Sequence, residues 1–337
     1  MNRKFVLLSA VPIVFLLFAA CTKAEPSRID FAMDTVCSIT LYDKAKDKIY
    51  KEIFGRLHEI ENRMSSHQAG TDIDRINASA GISPVQVHDD VFAVLERAIH
   101  FAEMSAGAFD PTVGPLVTLW DIRSETPRVP SQAEIDAVLP LVNWRNIELD
   151  RERQTVFLKQ PGMALDLGAI AKGYAADEAA AIIIKARIWQ AIVDLGGNIL
   201  TVGEKRDKSP WRIGLQNPLD DRGSYIGIVT GCENAVVTSG IYERYFVADG
   251  IHYHHLFSPF EGGPARTGLL AVTIITANSM DADALSTVAF VLGYEKGSAL
   301  IESLEGVEAV FIFEDKSIRK TSGSNFSLTD GNFRMIE

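Results

Sequence analysis

The stretch Leu165-Asp166-Leu167-Gly168-Ala169-Ile170-Ala171-Lys172-Gly173-Tyr174-Ala175-Ala176-Asp177 constrains this chain more than any other segment. An apolar, extended entry carries one carboxylate, Asp166. A glycine follows, and then a small-residue run that continues to Ala186. The pattern predicts a strand or extended turn that delivers its end to the start of a helix. A helix start offers unpaired N–H groups and the positive end of the helix dipole, a seat for phosphate. Small residues let backbone and ligand approach closely, and Lys172 adds a point charge on the first turn. A buried Gly/Ala-rich helix with a solvated lysine has the same sequence, so the segment alone leaves both readings open.

The elements around it are mixed. Phe31 to Tyr42 reads as one strand, with Cys37, Ile39 and Leu41 alternating against Ser38 and Thr40. Ile49, Ile53, Leu57, Ile60 and Met64 recur at helical spacing. Ser65 to Pro84 is polar and glycine-punctuated, a loop with a short turn of helix. Val91, Val94, Leu95, Ala98 and Ala102 mark a second helix, with Asp89 or Asp90 as its cap and its end near Gly107. Ser131 and Glu134 form a capping box. In the second half, strands are expected at 191–194, 211–215, 225–229, 236–238, 269–275 and 309–313, and helices at 279–292 and 297–304. Without a regular strand–helix alternation, the expected class is α+β, with mixed and antiparallel sheets and packed helices. No clear linker divides 31–337, which reads as one domain with room for two subdomains.

A net charge of −11 with no long basic run argues against nucleic acid as a partner. It leaves room for one small anion held locally. Arg3 and Lys4 precede an apolar run from Phe5 to Ala20 and then Cys21, the layout of a secretory signal. Ala19-Ala20-Cys21 resembles a bacterial lipobox, with Phe18 in place of the usual leucine. The expected arrangement is a lipoprotein signal over 1–20, lipid on Cys21 and a tether over 21–30. Cleavage would remove Arg3 and Lys4 and take the charge from −11 to −13. Cys37 and Cys232 make neither a disulfide framework nor a metal set.

Four further clusters carry chemistry. In Gly107-Ala-Phe-Asp-Pro-Thr-Val-Gly-Pro115 a proline-bracketed turn displays Asp110 and Thr112. It can present a carboxylate to a ring or ribose, or Asp110 can simply cap backbone. Asp194-Leu-Gly-Gly-Asn198 permits positive φ and bare backbone beside a ligand. In Tyr253-His-His-Leu-Phe-Ser-Pro-Phe-Glu-Gly-Gly-Pro264, adjacent histidines precede a proline- and glycine-rich loop. On a strand only one of His254 and His255 can face a site. In Asp281-Ala-Asp283-Ala-Leu-Ser-Thr287, Asp283 and Thr287 share a helical face and suit a hard cation such as Mg²⁺, with Asp281 as the expected N-cap.

Taken together in order, Met33-Asp-Thr, Phe109-Asp-Pro-Thr, the Asp166–Asp177 stretch, Asp194-Leu-Gly-Gly-Asn, Thr238-Ser-Gly, His255 with its loop, and Asp283-Ala-Leu-Ser-Thr resemble the ApbE-type FAD:protein FMN transferases along nearly the whole chain after the signal. The resemblance implies a T-fold-like core and a periplasmic, lipid-anchored enzyme at the inner membrane. Such an enzyme uses Mg²⁺ to cleave FAD, attaches FMN to a Thr or Ser hydroxyl of a redox-pump subunit, and releases AMP. It further implies Ala169 (by its carbonyl), Asp283 and Thr287 as Mg²⁺ ligands, and Lys172 facing the FAD phosphates. Met33, Ala108, Phe109, Asp110, Asp166, Leu256 and Phe257 would line the flavin and adenosine site. His255 and Asp283 would be the catalytic pair. One position departs: Ser258 stands where the family loop carries aspartate, which raises hydrolysis of FAD to FMN and AMP as an alternative outcome. A flavin-binding lipoprotein without catalysis is the other alternative.

Overall fold

A computed structural model of the chain describes residues 27–43, 45–231 and 234–336. The signal expected over 1–20, the expected lipid acceptor Cys21, and Cys232 lie outside the described residues. The class is α+β. A nine-stranded sheet runs in the order Arg28–Ala32, Thr35–Leu41, Ala191–Leu195, Asn198–Val202, Ala235–Gly240, Leu269–Thr276, Glu308–Phe313, Ser317–Lys320, Arg334–Met335. Every neighbouring pair is antiparallel except the last.

The aliphatic run Leu269–Thr276 is buried along its whole length because the sheet is covered on both faces there. Val272 and Ile274 face the core formed with the helices Asp47–Met64, Ala171–Lys185 and Ser279–Glu302. Leu270 and Ile275 face a second core, closed by a three-stranded sheet of Trp211–Gln216, Tyr225–Gly231 and Phe326–Leu328. The helix Ala171–Lys185 is rich in small residues because it is sandwiched. Ala175, Ala176, Ala179 and Ile183 have essentially no exposure, and Gly173 lies directly on the backbone of Ser279 and Met280.

Several expectations are corrected. The strand expected over 31–42 is a hairpin whose turn, Met33-Asp34, has φ of +53° and +58°. Its first arm starts at Arg28, so residues 28–30 belong to the sheet and not to a tether. Two positive φ values in succession allow the tight reversal that alternation alone does not reveal. The cap of Asp89–Met104 is His88, while Asp90 accepts from Arg56 and Arg63 instead. Asn278, not Asp281, caps Ser279–Glu302, and Asp281 binds the guanidinium of Arg97 at 2.5 and 2.8 Å. The helices expected at 279–292 and 297–304 meet at a break, Gly293, with φ +73° and ψ 176°. Asn198, expected in a turn, starts a strand. The hairpin Tyr245–Ala248/Ile251–His254 is an addition to the expected elements, because its sequence carries no strong alternation.

Candidate functional site

The twelve cavity residues expected from the sequence all line one space of about 580 Å³: Met33, Ala108, Phe109, Asp110, Asp166, Ala169, Lys172, His255, Leu256, Phe257, Asp283 and Thr287. They come from segments far apart in the chain, and the packing just described brings them together.

The floor is built by the two small-residue helices. Asp177 accepts from the N–H groups of Ser279 and Met280, both at 2.9 Å, and so pins the start of one helix to the side of the other. Burial pushes the Asp177 carboxyl up to about 6, against the opposing pull of those two N–H groups. The Gly173 N–H donates to Asp283 Oδ2 at 2.9 Å. The first-turn N–H of Ala171 is held by the Leu167 carbonyl. The helix start expected to receive phosphate therefore hosts Asp283 in part, and the dipole there steadies a carboxylate of the protein itself. The other oxygen, Oδ1, faces the Lys172 ammonium at 3.7 Å and makes no hydrogen bond among the described residues. Asp283 is only 4% exposed.

One turn further along, the Thr287 hydroxyl lies 3.3 Å from that of Ser239, in the cavity wall. Among the described residues no three His, Cys, Asp or Glu side chains converge as a metal cluster. The set available here is of another kind: a buried carboxylate oxygen with lone pairs to spare, a hydroxyl, and Ala169 from the adjoining turn. An all-oxygen set of this kind fits a hard divalent cation that keeps water and phosphate as its remaining ligands.

The wall beside the floor is the turn at Asp110. Its Oδ1 accepts from the N–H and hydroxyl of Thr112 at 2.8 and 2.6 Å, and its Oδ2 from the Trp144 N–H at 3.0 Å. Asp110 thus shapes the turn that puts Ala108 and Phe109 on the cavity; burial holds its carboxyl above the usual range. The Asp166 N–H donates to the Pro111 carbonyl, joining this turn to the central stretch. The Asp166 carboxylate accepts from Ser66 Oγ at 2.7 Å and from the Gly168 N–H at 2.8 Å, which fixes the loop before Lys172.

The two histidines separate cleanly. His254 is buried; its Nε2–H donates to the Ala265 carbonyl and its Nδ1 accepts from the Leu256 N–H. It is a structural residue. His255 reaches the cavity, and its Nδ1 lies 3.2 Å from the Arg244 carbonyl. A carbonyl only accepts, so Nδ1 carries the proton and Nε2 of the neutral ring is bare. Burial, reinforced by the Arg244 charge, pushes its pKa down to about 3. Ser258 does not reach the cavity lining. It is buried, its N–H bonds the Gly263 carbonyl, and its hydroxyl accepts from the Glu261 N–H. The departure from the family pattern thus sits in a turn and not on the reacting face.

On the charged rim, sequence reasoning quoted Asp34 within a motif but gave it no role, and it missed Arg123, which pairs with Asp34 at 2.8 Å, Arg222 and Glu243, paired at 2.8 Å, and Arg244. These lie in turns, where no periodicity marks them.

The pattern that defines the ApbE family matches residues 33–311, most of the chain and every segment of this cavity. The chain belongs to the ApbE family. It is 38% identical over 316 residues to the FAD:protein FMN transferase of Treponema pallidum (strain Nichols), covering 89% of this chain and 87% of the relative. It is 37% identical over 293 residues to the enzyme of that name from Klebsiella pneumoniae (strain 342), covering 86% and 91%. In three dimensions it is similar to the crystal structure of the ApbE protein of Thermotoga maritima, with a TM-score of 0.80 and 34% identity over 88% of this chain and 96% of that one. It is likewise similar to the flavin transferase ApbE of Vibrio cholerae, with a TM-score of 0.79 and 28% identity over 89% and 98%. The ApbE fold therefore accounts for most of the chain, the cavity between its segments included.

Proposed function

We propose that this chain is an FAD:protein FMN transferase, which moves FMN from FAD to a Thr or Ser hydroxyl of an acceptor protein and releases AMP. The observation that carries the reading is the pairing of Asp283 and His255 in one cavity. The first is a buried carboxylate with one oxygen left for a cation, and the second is a neutral imidazole with one bare nitrogen. The names of the relatives support the same reaction.

Asp283, Thr287 and the Ala169 carbonyl are the residues that would hold Mg²⁺. The chemistry such an ion would supply there is neutralisation of diphosphate charge. Lys172, 3.7 Å from Asp283, would take a phosphate oxygen. Phe109, Leu256 and Phe257 supply apolar surface for a flavin ring. His255 Nε2 accepts the proton of the attacking hydroxyl while Nδ1 stays bonded to the Arg244 carbonyl. The hydroxyl oxygen bonds to the flavin-side phosphorus, the bridging P–O bond breaks, and its electron pair leaves with AMP. A pKa of about 3 keeps the ring neutral at physiological pH, and the negative charge of a bound diphosphate raises its proton affinity when substrate arrives.

The acceptor class in this reading is a subunit of a membrane redox pump. The enzyme meets it in the periplasm, held at the inner membrane by lipid on Cys21. The test is incubation of the full chain with FAD, Mg²⁺ and an acceptor, reading AMP by chromatography and flavin fluorescence on the denatured acceptor. AMP with a fluorescent acceptor supports transfer. AMP without it makes the chain a pyrophosphatase, and no AMP leaves a flavin-binding protein; either result overturns the proposal.

A further inference from the structure

Three arginines line the cavity, and two of them are already matched. Arg123 holds Asp34 and Arg222 holds Glu243. The Arg244 guanidinium makes no hydrogen bond or ion pair among the described residues, although it is half-buried. Burial lowers its pKa and Arg123 adds repulsion, which together outweigh the distant attraction of Asp34, Asp166 and Glu243. Its donors open onto the cavity and have no protein partner among the described residues, which leaves them available to a ligand. Its planar fork fits the paired oxygens of a phosphate.

The backbone of the same residue is committed. The Arg244 carbonyl accepts both the His255 N–H at 3.1 Å and the His255 Nδ1–H at 3.2 Å. Arg244 and His255 are therefore tied through the backbone, both line the cavity, and the Arg244 charge lies close enough to act on the His255 ring. Lys172 lines the same cavity beside Asp283, and its charge also reaches the His255 ring.

We propose that Arg244 is a substrate-binding residue that clamps the phosphate remaining with the flavin, holding it beside the hydroxyl that His255 deprotonates. This rests on the FMN-transfer reading of the cavity. Its side chain orients the electrophile while its carbonyl fixes the tautomer of the base. No second residue is needed to bring the two into register.

The test separates this claim from the transfer reaction by measuring binding alone. Wild type, Arg244→Ala and Arg244→Lys are titrated with FMN, riboflavin and AMP, following flavin fluorescence for the first two and heat for the third. Thermal melts establish that each variant is folded. Loss of a bidentate charged contact should weaken FMN binding roughly 10- to 100-fold in Arg244→Ala, with riboflavin and AMP affinities unchanged. Arg244→Lys should fall between, because it keeps the charge and loses the fork. Guanidinium ion at millimolar concentration should restore part of the FMN affinity of Arg244→Ala. Unchanged FMN affinity overturns the proposal. So does an equal loss for riboflavin, which would mean packing, or a loss for AMP instead, which would mean the wrong phosphate. None of these outcomes depends on turnover, so a failure of the transferase reading shows up separately, in the AMP and acceptor-fluorescence assay.

Discussion

Gly173→Ala is the sharpest test of how the site is assembled. In an ordinary exposed helix this change stabilises by about 1 kcal/mol. Here a Cβ would stand 2.2 Å from the Ser279 carbonyl oxygen, 2.7 Å from its carbonyl carbon and 2.6 Å from Met280 Cα. All three are backbone atoms, at the start of a helix held by Asp177 and, through the Ser279 hydroxyl, by Asn198 at 2.7 Å. To reach ordinary contact the two helices must part by about 1 Å, and overpacking of this kind costs roughly 1–3 kcal/mol. The same displacement stretches the Gly173 N–H to Asp283 bond and the two Asp177 bonds, at about 1 kcal/mol each when lost. Against the helix-propensity gain, the net expectation with all three bonds lost is a destabilisation of about 3–5 kcal/mol. Denaturant unfolding of wild type and Gly173→Ala gives the stability difference directly. FAD-dependent AMP release at increasing Mg²⁺ reports the displaced carboxylate as a shift of the activation curve to higher metal concentration. A variant as stable as wild type and equally active would refute the claim that this contact sets the position of Asp283.

Asp283→Asn should keep the acceptor for the Gly173 N–H and hence the fold, with a melting temperature within a few degrees of wild type, while metal-dependent AMP release is lost; retained turnover would mean the cation sits elsewhere. Ser258→Asp should leave the ratio of AMP released to acceptor labelled unchanged, because position 258 holds a turn and does not touch the cavity; a shifted ratio would restore that position to the chemistry. Acid should destabilise the protein through His254. Burial depresses its pKa to about 4, so between about 4 and the ordinary 6.5 the unfolded chain binds a proton that the folded one does not. The stability it contributes is complete above pH 6.5 and falls as pH drops toward 4, by up to about 3 kcal/mol at about 1.36 kcal/mol per unit. Thermal melts from about pH 7.5 to about pH 4.5 should show a flatter pH dependence in His254→Gln than in wild type, and parallel curves would contradict it.

Much of the site is legible in the sequence, for a local reason. Asp166, Lys172, Asp283 and Thr287 sit beside small residues and at helix starts, and both leave marks along a chain. Gly168 and Gly173 announce close approach, and Asp283 to Thr287 is one helical turn. The capping box at Ser131 and Glu134 also stands as expected, since it depends on neighbouring residues only. The turn at Met33-Asp34 reads as continuous strand because alternation says nothing about the sign of φ. The caps mislead for a similar reason: Asp90 and Asp281 have the right chemistry for a local cap, but Arg56, Arg63 and Arg97 from other helices claim them.

What the sequence determined by itself was therefore periodicity and composition: an α+β chain, a small-residue helix that had to be buried, and an oxygen-rich helix start. Tertiary structure alone decided which polar groups meet. It set Asp283 on the Gly173 N–H, turned His255 rather than His254 into the cavity by giving it the Arg244 carbonyl, withdrew Ser258 into a turn, and left Arg244 as the unmatched guanidinium. Hydrophobic patterning repeats every few residues and can be read along a chain. A hydrogen bond between residues 110 positions apart has no counterpart in any window of sequence.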